Sequence, residues 1–148
     1  MGLSSNILWH QTNYKNLISI LREKKLRFSY SLEQCFSMYD EKGLAFPMVS
    51  MCDFPFSEIT TYMGKYGNSI LGLRRDWGVR KGFCPVWYCF EKSEIIAFLF
   101  RYYKKLVDRK QDGEHGILFQ LLSYMKPVEG ELVSRRYKTY RFYDEREV

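Results

Sequence analysis

The chain has 148 residues, 46% hydrophobic and 27% charged, the balance of one globular domain rather than of a disordered or fibrous chain. Its longest uninterrupted apolar run, Ile95-Ile96-Ala97-Phe98-Leu99-Phe100, is too short to cross a bilayer as a helix. The net charge of +6 is spread as 8 basic and 6 acidic residues over 1–74 and 15 and 11 over 75–148, which excludes a basic arm or tail.

In chain order, Ile7-Leu8-Trp9-His10 predicts a short extended segment. Thr12 or Asn13 then caps a helix whose Tyr14, Leu17, Ile18 and Leu21 recur at i, i+3, i+4 and i+7. That helix closes on the basic run Arg22-Glu23-Lys24-Lys25, as the helix dipole favours. Leu26, Phe28 and Tyr30 alternate with polar residues, the period of a strand, and residues 37–44 read as a loop. Phe46 to Cys52 predicts a buried strand that stops at Asp53-Phe54-Pro55. Ser57 caps the next helix, with Glu58 in its first turn and Ile59, Tyr62, Met63 and Tyr66 on one face.

Gly67-Asn68 signals a turn, Ser69 to Leu73 a strand, and Asp76 to Val79 a short helical turn ending at Gly82. Pro85 to Phe90 has strong strand propensity. Ser93 begins the clearest helix, lined on one side by Ile95, Phe98, Leu99, Tyr102 and Leu106 through to about Lys110. Residues 111–114 break it, 116–125 fit either a helix or a strand, and 128–131 read as a turn. Alternation from Tyr137 to Tyr143 predicts a terminal strand. The pattern is α+β: a central mixed or antiparallel sheet of about six strands flanked by three or four helices, in one domain over 1–148.

The cysteines Cys35, Cys52, Cys84 and Cys89 form no C-x-x-C pair and there are two histidines, so a zinc site is not expected. Four unpaired thiols and an N-terminus unlike a secretion signal suit a cytoplasmic protein. Arg101-Tyr102-Tyr103-Lys104 and Arg136-Tyr137-Lys138 set rings beside cations. Such clusters stack on nucleic acid bases, or simply form amphipathic elements with snorkelling side chains; both readings stay open.

The generic nucleotide-phosphate, hydrolase and zincin motifs are absent, which leaves His10 and His115 for any imidazole chemistry. His115 reads as a solvated residue of the Gly113-Glu114-His115-Gly116 loop. Trp9-His10-Gln11-Thr12 before Asn16-Leu17-Ile18-Ser19-Ile20-Leu21 resembles the first motif of the ADP-ribosyltransferase superfamily. A neutral imidazole offers one donor and one acceptor to a ribose diol. The resemblance implies that His10 and Thr12 hold nicotinamide adenine dinucleotide (NAD). Arg141 to Glu147 is similar to the superfamily's terminal strand and makes Glu147 or Glu145 the candidate catalytic carboxylate, facing an oxocarbenium-like ribose. The turn after the Phe46–Cys52 segment resembles the block that borders the nicotinamide, with Ser50, Asp53 and Tyr66 as rim candidates. A capped helix start, a plain turn and a solvated chain end are the structural alternatives at these three places.

Longer blocks resemble a second, more specific family. They are Ser4-Ser5-Asn6-Ile7-Leu8-Trp9-His10, Ala45 through Pro55 with its Cys-Asp-Phe-Pro ending, Tyr66-Gly67-Asn68, Gly72-Leu73-Arg74-Arg75-Asp76-Trp77-Gly78, and Tyr143 to Glu147. Together they resemble the AbiGi-type abortive phage infection antitoxins. That resemblance implies a role in antiviral defence, a cognate toxin of the nucleotidyltransferase type as partner, and no membrane. No cofactor is required by the residues; NAD enters with the transferase analogy, and nucleic acid is the alternative partner. The family pattern runs beyond its last glutamate, whereas this sequence ends at Val148, so the terminal strand is expected to be cut short.

Overall fold

Strand β1 (Ile7–Thr12) organises one part of the molecule. In this computed structural model the described residues are 6–33, 44–64, 66–90, 92–109, 112–131 and 139–141. Their contacts divide into two compact units, one from the stretch ending at Ser29 with Met48–Pro85, the other from Tyr30–Pro47 with the described residues from Val86 to Arg141.

In the first unit, β1 pairs antiparallel with β4 (Ser69–Arg74), Ile7 opposite Arg74 and Thr12 opposite Ser69. On its other edge Trp9 exchanges both backbone hydrogen bonds with Cys52, at 2.9 and 2.8 Å. Trp9 and Leu8 are therefore buried on opposite faces of a strand that has a neighbour on each side. The Trp9 ring lies across Gly72, where a Cβ would stand 2.7 Å from it. Its indole Nε1 donates to the Phe54 carbonyl at 3.0 Å, and Met51 and Phe54 are wholly buried. The expected strand through Cys52 is thus shorter and earlier, as β3 (Leu44–Met48). Cys52 makes only an isolated bridge.

Helix α1 (Tyr14–Glu23) starts where Asn13 Oδ1 accepts from Asn16 N at 2.8 Å, which settles the cap between the two candidates. It ends at Lys24 in the left-handed conformation. None of its residues is buried; Leu17, Ile18 and Ile20 are half-buried. The helix predicted after Ser57 is a 3-10 turn (Phe56–Glu58) followed by the short α2 (Ile59–Tyr62), and Pro55, not Ser57, is the residue before the turn. With fixed φ and no N–H to satisfy, Pro55 can start the turn without a side-chain cap. Tyr66 lies past Met63, where the helix stops, so it does not share that face. At Gly67, φ is 137° and a Cβ would collide with the Thr12 carbonyl, so only glycine fits this turn into β4. Helix α3 (Arg75–Arg80) seats Gly78 on Leu8. The Trp77 ring lies 6.0 Å from that of Phe83.

The second unit holds three further strand pairs. Strand β2 (Ser29–Glu33) pairs with β3, β5 (Trp87–Cys89) runs parallel to β6 (Met125–Pro127), and β7 (Glu129–Glu131) pairs antiparallel with β8 (Thr139–Arg141). Helices α4 (Glu94–Asp108) and α5 (Asp112–Leu122) make the crossover that a parallel pair requires. Phe46, Ile96, Phe100, Leu106, Leu118, Leu122 and Met125 are buried, with the Phe46 and Phe119 rings 4.9 Å apart.

The fold class is α+β, with five α-helices among the described residues. The central sheet of about six strands is corrected: the eight described strands pair two by two. Among the described residues the second edge of β1 is met only by the isolated Cys52 bridge, and Pro47 within β3 has no N–H to offer a second partner. Residues 129–131, read as a turn, are β7, and the ambiguous 116–125 stretch is mostly α5. His115 sits on that helix rather than in a loop. The loop expected at 37–44 falls outside the described residues, apart from Leu44, which opens β3.

Candidate functional site

His10, Thr12, Ser50, Asp53 and Tyr66 all belong to the first unit. His10 and Thr12 share one face of β1, because strand side chains alternate. The His10 ring is half-buried, with Nδ1 3.0 Å from the Ser50 carbonyl. A carbonyl only accepts, so Nδ1 carries a proton, and in the neutral tautomer this selects, Nε2 is the acceptor. The Ser50 residue predicted at a pocket rim therefore acts first through its backbone, setting the tautomer of His10. Its hydroxyl points to Met48 Sδ at 3.4 Å. Thr12 is buried, with 6% of its surface exposed.

Asp53 is drawn into a different partnership. Its Oδ1 receives a 2.6 Å hydrogen bond from Arg75, with 17% and 34% of the two side chains exposed. The Arg75 backbone N–H also donates to the Asn6 carbonyl at 2.9 Å. Two blocks that stand out in the sequence, Cys52-Asp53-Phe54-Pro55 and Leu73-Arg74-Arg75-Asp76-Trp77-Gly78, are thus joined by one ion pair. The indole of Trp9 adds a second tie to the same turn through Phe54. Arg75 carried no signal of its own in the sequence, because nothing local distinguishes it from Arg74. Its neighbour makes exposed ties to Asp76 instead.

Asp76 gathers Arg74 and Arg80 at the start of α3. Loss of water raises its carboxyl, but hydrogen bonds from Arg80 and Arg74, the Arg74 charge and the Trp77 N–H outweigh that and hold it below the ordinary value. Tyr66 is 53% exposed just before the Gly67 turn. Gln11 was not singled out by its sequence context. It lies on the opposite face of β1 from His10, and its buried carboxamide N and O have no hydrogen-bond partner among the described residues.

Glu145 and Glu147 lie outside the described residues, as do Cys35 and the Arg136-Tyr137-Lys138 cluster. Cys84 and Cys89 are free thiols, and burial pushes the Cys89 thiol up. Among the described residues no three His, Cys, Asp or Glu side chains are grouped as a metal ion would require, and no helix is long and apolar enough to cross a membrane.

Residues 14–148 match the family model described as "Putative abortive phage resistance protein AbiGi, antitoxin". The chain belongs to the AbiGi family. Both halves of the Asp53–Arg75 pair lie within the matched stretch, whereas His10 and Thr12 precede it. No curated protein and no solved structure matches the chain significantly. The AbiGi family description carries an antitoxin role in phage resistance, and with it a cognate toxin as partner.

Proposed function

We propose that this AbiGi chain acts in the cytoplasm as the antitoxin of an abortive-infection pair and neutralises a toxin of the nucleotidyltransferase type. The family match over residues 14–148 carries the reading. The Asp53–Arg75 tie between two of its characteristic blocks supports it, since it gives those blocks a shared structural purpose. The test is co-expression with the toxin encoded beside it. Induced toxin alone should arrest growth, and the chain supplied in trans should restore it. Arrest that persists with the chain expressed and folded overturns the reading.

The His10 geometry favours a second reading, an ADP-ribosyltransferase-like enzyme using NAD on nucleic acid or protein. A proton fixed on Nδ1 leaves Nε2 as an acceptor on the strand face that Thr12 shares, the arrangement a ribose hydroxyl would meet. In that reading His10, Thr12, Ser50, Asp53 and Tyr66 border the dinucleotide, and Glu147 or Glu145 stabilises the developing ribosyl cation. Calorimetry with NAD decides: absence of binding heat at millimolar dinucleotide removes the enzyme. Binding that His10→Ala abolishes, with turnover lost in Glu147→Gln or Glu145→Gln, supports it.

A further inference from the structure

Helix α4 carries more apolar surface than its core contact uses. Ile96, Phe100 and Leu106 are 0%, 9% and 2% exposed, yet Ile95, Phe98 and Tyr102 stand 54%, 58% and 40% exposed on an adjoining stripe. The Phe98 and Tyr102 rings lie one turn apart, 6.3 Å between centroids and parallel to within 2°. A seam built for a partner helix would continue with aliphatic residues at i+3 and i+7. Here those positions beyond Tyr102 are Lys105 and Arg109, both exposed, and Arg101 flanks the rings on the same side. The final turns of the helix and the residue that follows it thus expose Arg101, Lys104, Lys105 and Arg109 against the single carboxylate of Asp108.

Rings followed by cations at helical spacing match a chain of flat bases linked by phosphates. Every base has a face to stack on an exposed ring, and each phosphate is attracted to a guanidinium or ammonium. We infer that the outer stripe of α4 is a docking surface for a single-stranded polynucleotide. Phe98 and Tyr102 are its stacking platform, and Arg101, Lys105 and Arg109 its phosphate contacts. The inference is independent of the antitoxin reading, which concerns a protein partner, and it stands whether or not the chain neutralises a toxin.

The experiment is fluorescence anisotropy of the whole chain with a labelled oligothymidylate of about sixteen nucleotides, the upper site size of a comparable surface. Three phosphate contacts give a slope of about −2 in log K against log salt. Reversing Lys105 and Arg109 together to Glu flattens that slope by about 1.4 or more. Phe98→Ala and Tyr102→Ala each weaken binding at fixed salt by about fivefold or more, while Tyr102→Phe retains it. All four substituted side chains are exposed, and circular dichroism confirms that each variant is folded. Four results overturn the assignment: no binding at low salt, affinity indifferent to the ring substitutions, a slope unchanged by charge reversal, or duplex bound as tightly as single strand. A dimer that Phe98→Ala dissolves, or an acidic protein bound at this stripe without oligonucleotide binding, overturns it as well.

Discussion

Strand β1 and helix α4 use their rings in opposite ways. In β1, Trp9 is almost wholly buried: its ring lies on Gly72, its indole N–H is satisfied by Phe54, and its backbone pairs with Cys52. In α4, Phe98 and Tyr102 stack on each other and face outward. The strand has a neighbour on each edge and little freedom to re-aim a side chain. The helix is apolar around much of its circumference, so more than one face could have met the core. The lesson is that aromatic content alone separates neither core from surface nor structure from recognition; the backbone context decides.

Substitutions can break or sharpen this contrast. The largest effect belongs to the turn that feeds β4. Gly67→Ala puts a methyl against the Thr12 carbonyl at a backbone angle that L-residues avoid, and a loss of about 4 kcal/mol or more is expected in denaturant melts. A loss below about 1 kcal/mol would mean that the turn relaxes freely. Next comes the pair of faces on α4. Ile96→Ala should cost about 2–5 kcal/mol as a core truncation, whereas Phe98→Ala should stay within about 0.5 kcal/mol. Equal costs would show that the exposed stripe is packed after all.

Arg75→Met removes a half-buried charged hydrogen bond and leaves Asp53 behind, for about 1.5–3 kcal/mol by thermal melting. If the double variant with Asp53→Asn is no more stable than the two single losses added together predict, the two groups are not coupled. Asn13→Ala should cost about 1 kcal/mol, the usual worth of a helix cap, and Asn13→Gly only a few tenths.

The smallest effect is electrostatic. Glu23 is held below its ordinary value by hydrogen bonds from Arg27 and then Ser19, and Asp76 by its arginines. A depressed folded value means stability that is present above the unfolded carboxylate range and lost as pH falls through the folded value. Both groups are solvent-exposed, so the loss is shallow. Glu23→Gln with Asp76→Asn should narrow the stability gap to wild type as pH drops below about 4. A gap constant with pH contradicts the assigned pairing.

Much of the local structure was legible before any coordinates. The start of α1 followed from the spacing of Tyr14, Leu17 and Ile18, β4 from the residues after Gly67-Asn68, and α3 from the run closing at Gly82. Each is a short-range pattern whose cause lies within a few residues. Which face of α4 packs was not legible, for the opposite reason. Ile95, Phe98, Leu99, Tyr102 and Leu106 form a valid helical stripe, but so do Ile96, Phe100 and Leu106, and a helical period cannot rank two apolar faces. The candidate site was legible in part. His10 stood out as one of two histidines, whereas the roles of the Ser50 carbonyl and of Arg75 depend on partners some 40 and 22 residues away in sequence.

What the sequence determined by itself was family, fold class and most element positions, because distinctive blocks, hydrophobic periods, caps and glycine turns act locally. Tertiary structure alone decided that the strands pair two by two, that Asp53 faces Arg75, and that two rings of α4 stay in solvent. Those outcomes depend on which surfaces meet across the chain, and burial is a property of the meeting rather than of either segment.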